Sequence, residues 1–274
     1  MIQRAYQFRI YPNASQKMFF AKCFGCLRFY YNRALDEKIK YYKEHGKTIR
    51  ITPAKYKHEF EFLKEVDSLA LSNAQLQLQT AYRNFFRDKR IGFPKFKSSK
   101  YSRKAYTTNN QKGTISFSTE GKYINLPKCR LLKVKKHREV IGEIKHATIS
   151  KDPDGKYYIS IICIDNTDYS LPYSENSIGI DLGLKKFAIL SSGTKINNPK
   201  QLTKSMNKLA REQRKLSHMK KGGKNYRKQT IVIAKIHKKI TNRRNDFLHK
   251  LTTELIKENQ IICTETLKIN NLVK

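Results

Sequence analysis

The chain has 274 residues, of which 39% are hydrophobic, and its 57 lysines and arginines outnumber its 22 acidic residues to give a formal net charge of +35. That length is sufficient for two or three domains with their own cores. A charge this large repels itself unless a polyanion neutralises it, and here it is spread along the chain, which predicts a nucleic-acid partner. A ribosomal-type protein and a membrane-surface binder are the alternatives.

The sequence also indicates a compartment. No apolar run approaches the ~20 residues of a membrane-spanning helix, and the start Met-Ile-Gln-Arg-Ala-Tyr does not have the pattern of a signal peptide. Five cysteines, an odd number, suit a reducing environment. We therefore expect a cytoplasmic or nucleoid-associated protein. Cys23 and Cys26 form a C-x-x-C pair, but structural zinc takes four ligands and the sequence offers no second pair, so core packing is predicted and no zinc.

The first third of the chain predicts one strand followed by helices. Residues 3–11 alternate polar and apolar side chains, as a strand does. Pro12-Asn-Ala-Ser15 then opens a helix to about Glu44 with an apolar stripe. Two more helices are predicted, from Thr52 to about Lys64 and from Asp67 to Arg90, so this block is expected to be a small helical bundle inserted after one strand.

The segment 92–106 (Gly-Phe-Pro-Lys-Phe-Lys-Ser-Ser-Lys-Tyr-Ser-Arg-Lys-Ala-Tyr) is basic, aromatic and predicted to be extended. Cations alternating with rings suit a surface that follows phosphates and stacks on bases, with a solvated loop as the alternative. Phe96 and Tyr106 are candidate stacking residues, and burial in a β core is the alternative for both.

Short strands and turns follow, and they predict a small β-barrel that the strand at residues 3–11 completes. These strands are Thr114–Ser118, Tyr123–Leu126, Leu131–Lys135, Glu143–Ser150 and Tyr157–Asp165. After a linker at 166–176, strands are predicted at Ile178–Asp181, Phe187–Ser191 and Gln260–Thr264. Two long basic helical stretches, roughly 200–218 and 226–258, lie between the last two of these strands.

Two of these strands deliver a carboxylate at their tips. Asp181 lies in Gly179-Ile-Asp-Leu-Gly183, and Glu265 lies in Ile261-Ile-Cys-Thr-Glu-Thr-Leu267. In two-metal nucleases, carboxylates from neighbouring strands hold Mg²⁺, which prefers oxygen ligands. The pattern predicts that Asp181 and Glu265 are metal-binding and catalytic residues, and a turn-capping role is the alternative for Asp181.

With these motifs in place, the chain resembles the TnpB family, the transposon-encoded RNA-guided nucleases of the OrfB type. The segments that carry the resemblance are Phe8-Arg-Ile-Tyr-Pro-Asn-Ala14, Arg28-Phe-Tyr-Tyr-Asn32, Ala81-Tyr-Arg-Asn-Phe-Phe86, Gly92-Phe-Pro-Lys-Phe96, Gly179-Ile-Asp-Leu-Gly183, Asn245-Asp-Phe-Leu-His-Lys-Leu251 and Thr264-Glu265-x-Leu267.

The resemblance implies an α+β multidomain fold. A WED-type β-barrel, with its first strand in residues 1–11 and its remainder in 92–170, would be interrupted by a helical REC insertion at 12–91. Residues 171–274 would form a RuvC-like α/β domain of RNase H type. Asp181 and Glu265 map onto the first two RuvC acids.

The resemblance also implies a guide RNA transcribed near the gene and a double-stranded DNA target beside a short adjacent motif. The motif would be read around Ile51, Lys55, Ser68, Leu69, Ser72, Thr107, Thr108 and Asn109. Nucleic-acid backbone contacts are expected from Lys95, Lys97, Arg103, Lys104, Arg211, Arg214, Lys215, Lys220, Lys221, Arg227, Lys228, Lys238, Lys239, Arg243 and Arg244.

One departure from the family pattern shapes the functional expectation. Family members continue past the second acid with a zinc module and a third acidic motif, and neither stands in residues 266–274. We therefore expect a RuvC-like domain with an incomplete, vestigial acid set, in a nuclease-dead, RNA-guided repressor. This protein is expected to bind DNA without requiring Mg²⁺. It is also expected to contain no zinc and not to oligomerise. An RNA-guided endonuclease or a fragment of one is the alternative, and an RNA-binding remnant without a DNA target is another.

Overall fold

The chain divides into two compact units, the first ending at Thr167 and the second beginning at Asp168. A computed structural model describes residues 2–265. The elements of unit 1 are β1 (Ile2–Ile10), α1 (Ala14–His45), α2 (Pro53–Glu59), α3 (Ser68–Arg87), β2 (Lys104–Asn109), β3 (Ser116–Phe117), β4 (Tyr123–Leu126), β5 (Arg130–Lys135), β6 (Glu143–Lys151) and β7 (Tyr157–Asp165). Single 3-10 turns follow α2 at Glu61–Lys64 and α3 at Lys89–Ile91. The elements of unit 2 are β8 (Ser177–Leu182), β9 (Lys186–Leu190), β10 (Lys195–Asn197), α4 (Thr203–Ser217), α5 (Lys224–Glu258) and β11 (Ile261–Thr264).

The strands of unit 1 form one antiparallel sheet in the order β2-β6-β7-β1-β5-β4-β3. β1 belongs to this sheet, as predicted, and it lies at the centre, where it pairs with β7 from Ile2 opposite Asp165 to Ile10 opposite Tyr157. The barrel predicted from the sequence is instead a curled half-barrel, because β2 pairs with β6 and β3 pairs with β4 but the described residues form no ladder between β2 and β3.

Helix α1 begins at a capping box and packs on this sheet. The Asn13 Oδ1 accepts the backbone N–H of Gln16 at 2.8 Å, and the Gln16 Oε1 accepts the backbone N–H of Asn13 at 3.1 Å. Such a cap stabilises a helix by about 1 kcal/mol. The ring of Phe20 lies 6.0 Å from that of Tyr106 on β2 and 5.9 Å from that of Tyr157 on β7. The apolar face of α1 therefore covers the sheet.

Cys23 and Cys26 lie on the same buried face of α1, which confirms the prediction that they pack in the core. Burial raises the pKa of the Cys23 thiol well above its usual value. The thiol therefore stays protonated and packs as a small apolar group.

In unit 2, the strands form a mixed sheet in the order β10-β9-β8-β11, where β8 and β11 are parallel and the other pairs are antiparallel. The short strand β10 was not predicted. Helices α4 and α5 are joined by Gln229, whose Nε2 donates to the Glu212 carboxylate at 2.7 Å. The Phe187 and Phe247 rings meet edge to face at 5.2 Å, which ties β9 to α5. Across residues 2–265, none of the helices combines the length and the apolarity that a membrane crossing requires.

Candidate metal and nucleic-acid sites

The register between β8 and β11 places the two predicted carboxylates side by side. The strands pair from Ile261 opposite Ser177 to Thr264 opposite Ile180, and the next residues in each chain segment are Glu265 and Asp181. Neighbouring strands lie about 4.8 Å apart and side chains alternate between faces, so both carboxylates leave the same face of the sheet. Both side chains are exposed and line one concave surface.

The strand that carries Asp181 is held by its own hairpin. A methyl group at Gly183 would lie 3.2 Å from the Lys186 carbonyl oxygen, so the tight turn after Asp181 favours glycine. At the other end, the Gly179 N–H donates to the Ser191 Oγ at 3.1 Å, and the Ser191 N–H donates to the Gly179 carbonyl at 2.9 Å. The position of Asp181 is therefore set by the sheet and not by a flexible loop.

The opposite face of the same sheet is turned towards α5. Ile178 and Leu190 line a cleft together with Phe247 and Leu251 of that helix. Because Ile178 and Asp181 are an odd number of residues apart on β8, their side chains point to opposite faces. The carboxylate face is thus the one that α5 does not cover.

As a metal site, this face presents two carboxylates. Oxygen donors of this kind suit Mg²⁺, which commonly retains several waters beside one or two carboxylates. Within residues 2–265 there is no group of three or more His, Cys, Asp or Glu side chains that could share an ion. As candidate metal ligands at this face, the described part of the chain offers Asp181 and Glu265.

Of the residues predicted to read an adjacent DNA motif, Ile51 precedes α2, Lys55 lies on α2 and the others lie on α3 and β2. Two of them are in the core. Ile51 is 2% exposed and its carbonyl accepts the Tyr30 hydroxyl at 3.0 Å, while Thr108 is 1% exposed and its hydroxyl donates to Asp67. Their side chains can shape the surface but do not reach it.

The remaining motif residues are at least partly accessible. Lys55 forms an ion pair with Glu37, and Lys57 donates to the Ser68 Oγ at 2.8 Å. Ser72 is exposed, and Leu69, Thr107 and Asn109 are half-buried. Sequence reasoning missed Asn73 on α3, whose Nδ2 donates to the Leu69 carbonyl of the same helix and to the Thr107 carbonyl of β2, both at 3.0 Å. A carboxamide within an apolar helical pattern was the available signal.

Solvent exposure separates the aromatic residues of segment 92–106 that are available for stacking from those that are buried. Tyr106 is 2% exposed, so the alternative of a core residue is correct for it. Phe96 is 56% exposed and keeps its candidate stacking role. Tyr101, which was not predicted, is 81% exposed with the Lys100 ammonium 5.0 Å from its ring centre. A cation beside an open ring is typical of a surface that meets bases and phosphates.

The basic residues predicted on α4, α5 and the turn between them are exposed, except Lys238, which is half-buried. Two of them are already engaged, because Arg211 and Lys215 approach the Glu212 carboxylate at 3.4 and 3.1 Å. The hydrogen bond from Gln229, followed by the one from Lys215, lowers the pKa of Glu212, which keeps this carboxylate charged. The other exposed cations are better placed to bind phosphates.

Comparison with known proteins places these features in a family. A family model described as "Probable transposase" matches residues 161–274, and one described as "Helix-turn-helix domain" matches residues 1–47. A "Putative RNA-guided DNA endonuclease" of Streptomyces pristinaespiralis is 35% identical over all of this chain and 69% of its own length. The "Putative RNA-guided DNA endonuclease InsQ" of Escherichia coli K12 is 33% identical over 99% of this chain and 68% of its own length. The chain belongs to the TnpB family of RNA-guided DNA endonucleases.

A solved structure supports the fold. A chain in the cryo-EM structure of the Cas12f1–sgRNA–target DNA complex aligns with 97% of this chain and 81% of its own length, at 11% identity and a TM-score of 0.56. The mixed α/β architecture therefore resembles Cas12f, and the half-barrel of unit 1 fits a WED-like domain. The described part of residues 1–47 is one strand and one long helix, not a helix-turn-helix.

Proposed function

We propose that residues 1–274 form an RNA-guided DNA-binding protein that recognises a duplex beside a short adjacent motif, and that this chain blocks its target without cutting it. The observation that supports this most directly is the Asp181–Glu265 pair. Two-metal phosphodiester cleavage needs ligands around two ions, and β8 and β11 bring two carboxylates to this face. Blocking a promoter in this way would repress transcription.

The proposal assigns a role to each part of the chain. Residues 1–11 and 92–170 would be the WED domain, 12–91 the REC insertion and 171–274 the RuvC-like domain. The first two assignments are supported by α1 to α3, which follow β1 and precede the rest of the half-barrel. The third is supported by the strand order β10-β9-β8-β11 with its parallel β8–β11 pair. Asp181 and Glu265 would be the remaining ligands for Mg²⁺, which in a complete two-metal site promotes attack by water and stabilises the leaving oxygen.

Recognition would be divided between RNA and protein. Base pairing with the guide reads the target sequence, and the protein reads the short motif and the shape of the duplex. Accessible residues at the α3–β2 surface, among them Ser72 and Thr107, would contact the motif. Thr108, whose hydroxyl donates to Asp67 at the start of α3, would support that surface from beneath, and the buried Ile51 would support the start of α2. Exposed cations of α4 and α5 would neutralise phosphates, so binding should weaken steeply with salt.

A second candidate function is RNA-guided DNA cleavage. It is favoured by the two relatives, both named as RNA-guided DNA endonucleases and both more than 30% identical to this chain. Under this alternative, Asp181 and Glu265 would be working ligands and would act with acidic groups beyond the pair described above.

The test is to co-express the chain with its native downstream DNA and to offer the purified particle a matched duplex and a scrambled duplex, with and without Mg²⁺. Specific binding with the duplex intact would support the proposal. Mg²⁺-dependent cuts that Asp181→Ala abolishes would replace it with the nuclease. Binding that persists after the RNA is digested would exclude guided recognition altogether. A reporter with the matched target in its promoter would then test repression.

A further inference from the structure

A small polar cavity in unit 1 lies where α1 meets the segment between α3 and β2. Its volume is about 30 Å³, room for two or three water molecules and hence for the free oxygens of one phosphate group. Four basic residues and several serines line it, including Arg28, Lys97, Arg103, Lys104, Ser98 and Ser102. None of the described residues that line it is acidic.

The cavity is anchored by a clamp between α1 and Lys97. The Asn32 Nδ2 donates to the Lys97 carbonyl at 2.8 Å, and the Asn32 Oδ1 accepts the Lys97 backbone N–H at 2.8 Å. A carboxamide that satisfies both backbone groups of one residue fixes that residue without using its side chain. The backbone position from which the Lys97 side chain starts is therefore set before any ligand arrives.

The ammonium group of Lys97 is held in place but not neutralised. It lies 4.0 Å from the centre of the Tyr31 ring and donates to the Gln77 Oε1 at 3.0 Å. Within residues 2–265 no carboxylate forms an ion pair with it, and burial lowers its pKa. A partly desolvated ammonium without a counter-ion is stabilised by an anion that enters the cavity.

The serine side of the cavity is also ordered. The Tyr101 N–H donates to the Ser98 Oγ at 3.0 Å, and the Ser102 N–H donates to the Ser98 carbonyl at 3.1 Å. Since the Ser98 oxygen is used as an acceptor, its O–H remains able to donate to an anion. Hydroxyl and guanidinium donors facing one small volume suit the tetrahedral oxygens of a phosphate.

We propose that this cavity binds one phosphodiester group of a nucleic-acid backbone, with Lys97 as the pre-positioned cation, Arg28 and Arg103 as guanidinium donors and Ser98 as a hydroxyl donor. The identity of the polymer rests on the proposed function, while the phosphate chemistry rests on the cavity alone. The phosphate can come from the guide RNA or from the target DNA, and the experiment separates these sources.

The experiment compares full-length wild type with Arg28→Gln, Arg103→Gln and Lys97→Met. Lys17→Gln is the charge-matched control, because Lys17 is exposed on the first turns of α1 and does not line the cavity. The probes are a single-stranded RNA of about 20 nucleotides and a duplex DNA of similar length, both of unrelated sequence. Affinity is measured between roughly 50 and 200 mM salt.

Each cavity variant is expected to weaken binding about tenfold, as the loss of one charged hydrogen bond does. It should also flatten the slope of log affinity against log salt by about 0.7 on RNA or about 0.9 on DNA. A loss on RNA alone assigns the phosphate to the guide, a loss on DNA alone assigns it to the target, and a loss on both indicates a site that both polymers use.

The proposal is overturned if the arginine variants, folded as judged by wild-type melting temperature, bind both probes like Lys17→Gln. If Lys97→Met fails to fold, the two arginine variants still decide the question. Because unrelated sequences need no guidance, the failure of guided recognition would leave this result intact, and the failure of the cavity would leave guided recognition open.

Discussion

The Asn73 carboxamide joins helix α3 to strand β2. Its Nδ2 lies 3.0 Å from the Thr107 carbonyl oxygen and 3.2 Å from the Asn109 Oδ1. It therefore orients two of the residues proposed to read the adjacent motif. One side chain thus connects the packing of the helical block to the proposed recognition surface.

Asn73→Ala should remove the hydrogen bonds that hold β2 against α3 at the proposed recognition surface. The loss of half-buried hydrogen bonds should lower the free energy of unfolding by about 1–2 kcal/mol, and β2 should lose its fixed orientation. We expect weaker binding to a matched duplex that carries the motif, with unchanged binding to RNA alone. Ser72→Ala, one residue earlier and exposed, is the control for stability. Equal melting temperatures for the two variants would contradict the structural role of Asn73.

Asp181→Asn and Glu265→Gln test the carboxylate pair. Both side chains are exposed, so either change should leave the melting temperature within about 1 °C, because surface substitutions rarely alter stability appreciably. In the wild type, Mg²⁺ that binds the folded pair should raise the melting temperature, and this increase should disappear in the double variant. Asp246→Asn, also exposed but on α5, should retain it. An identical Mg²⁺ response in all proteins would show that the pair binds no metal.

Much of the architecture follows from the sequence because the local signals agree. The polar–apolar alternation of residues 3–11, the capping residues around Asn13 and the long basic helices all match elements of the structure. The sheet is a half-barrel where the sequence predicted a barrel, because ladder pairing between distant strands has no local signal. The burial of Ile51 and Thr108 was missed for a related reason, since the resemblance supplied positions without side-chain environments. The Asn32–Lys97 clamp joins residues 65 positions apart, which no periodicity reveals.

Gly142 tests the half-barrel directly. It precedes β6 with φ of +93°, and a methyl group there would lie 2.3 Å from the Ile164 carbonyl oxygen. Gly142→Ala should therefore destabilise unit 1 by about 2 kcal/mol or more, since both the backbone and the neighbouring strand must shift.

Gly25→Ala is the matched control for Gly142→Ala. Gly25 lies inside α1, and apart from its chain neighbours and the backbone of its own helix no atom would stand within 4 Å of an added methyl group. Alanine there should stabilise the helix by about 0.5–1 kcal/mol. Thermal unfolding of both variants should give shifts of opposite sign. Shifts of the same sign would show that the strand packing at Gly142 differs from the structure.

The environment of Glu37 predicts that the free energy of unfolding falls as the pH is lowered. Burial tends to raise the pKa of this carboxyl, but hydrogen bonds from Lys55 and Tyr56 outweigh it, and its net pKa lies below the usual value. A group with a depressed folded-state pKa contributes stability above its unfolded pKa of about 4.3 and loses it as pH falls through the folded value. Glu37→Gln should lower the free energy of unfolding at neutral pH. Below about pH 4 the difference in unfolding free energy between variant and wild type should become smaller. A difference that stays constant from pH 7 to 3 would contradict this assignment.

The helical hairpin of unit 2 distinguishes engaged cations from free ones. Arg211 approaches Glu212, whereas the described residues place no carboxylate at ion-pair distance from Arg227, which is exposed on α5. A free arginine can give its full charge to a phosphate, while a paired one is partly neutralised. Arg227→Gln should therefore flatten the salt dependence of RNA or DNA binding by about one phosphate contact, and Arg211→Gln by less. In Glu212→Gln, Arg211 is released, so binding should strengthen in low salt and lose that gain as salt rises. If Arg211→Gln weakened binding more than Arg227→Gln, the prediction would be contradicted. Nucleic acid would then displace Glu212 from Arg211, and the ion pair would not reduce the charge that Arg211 offers to a phosphate.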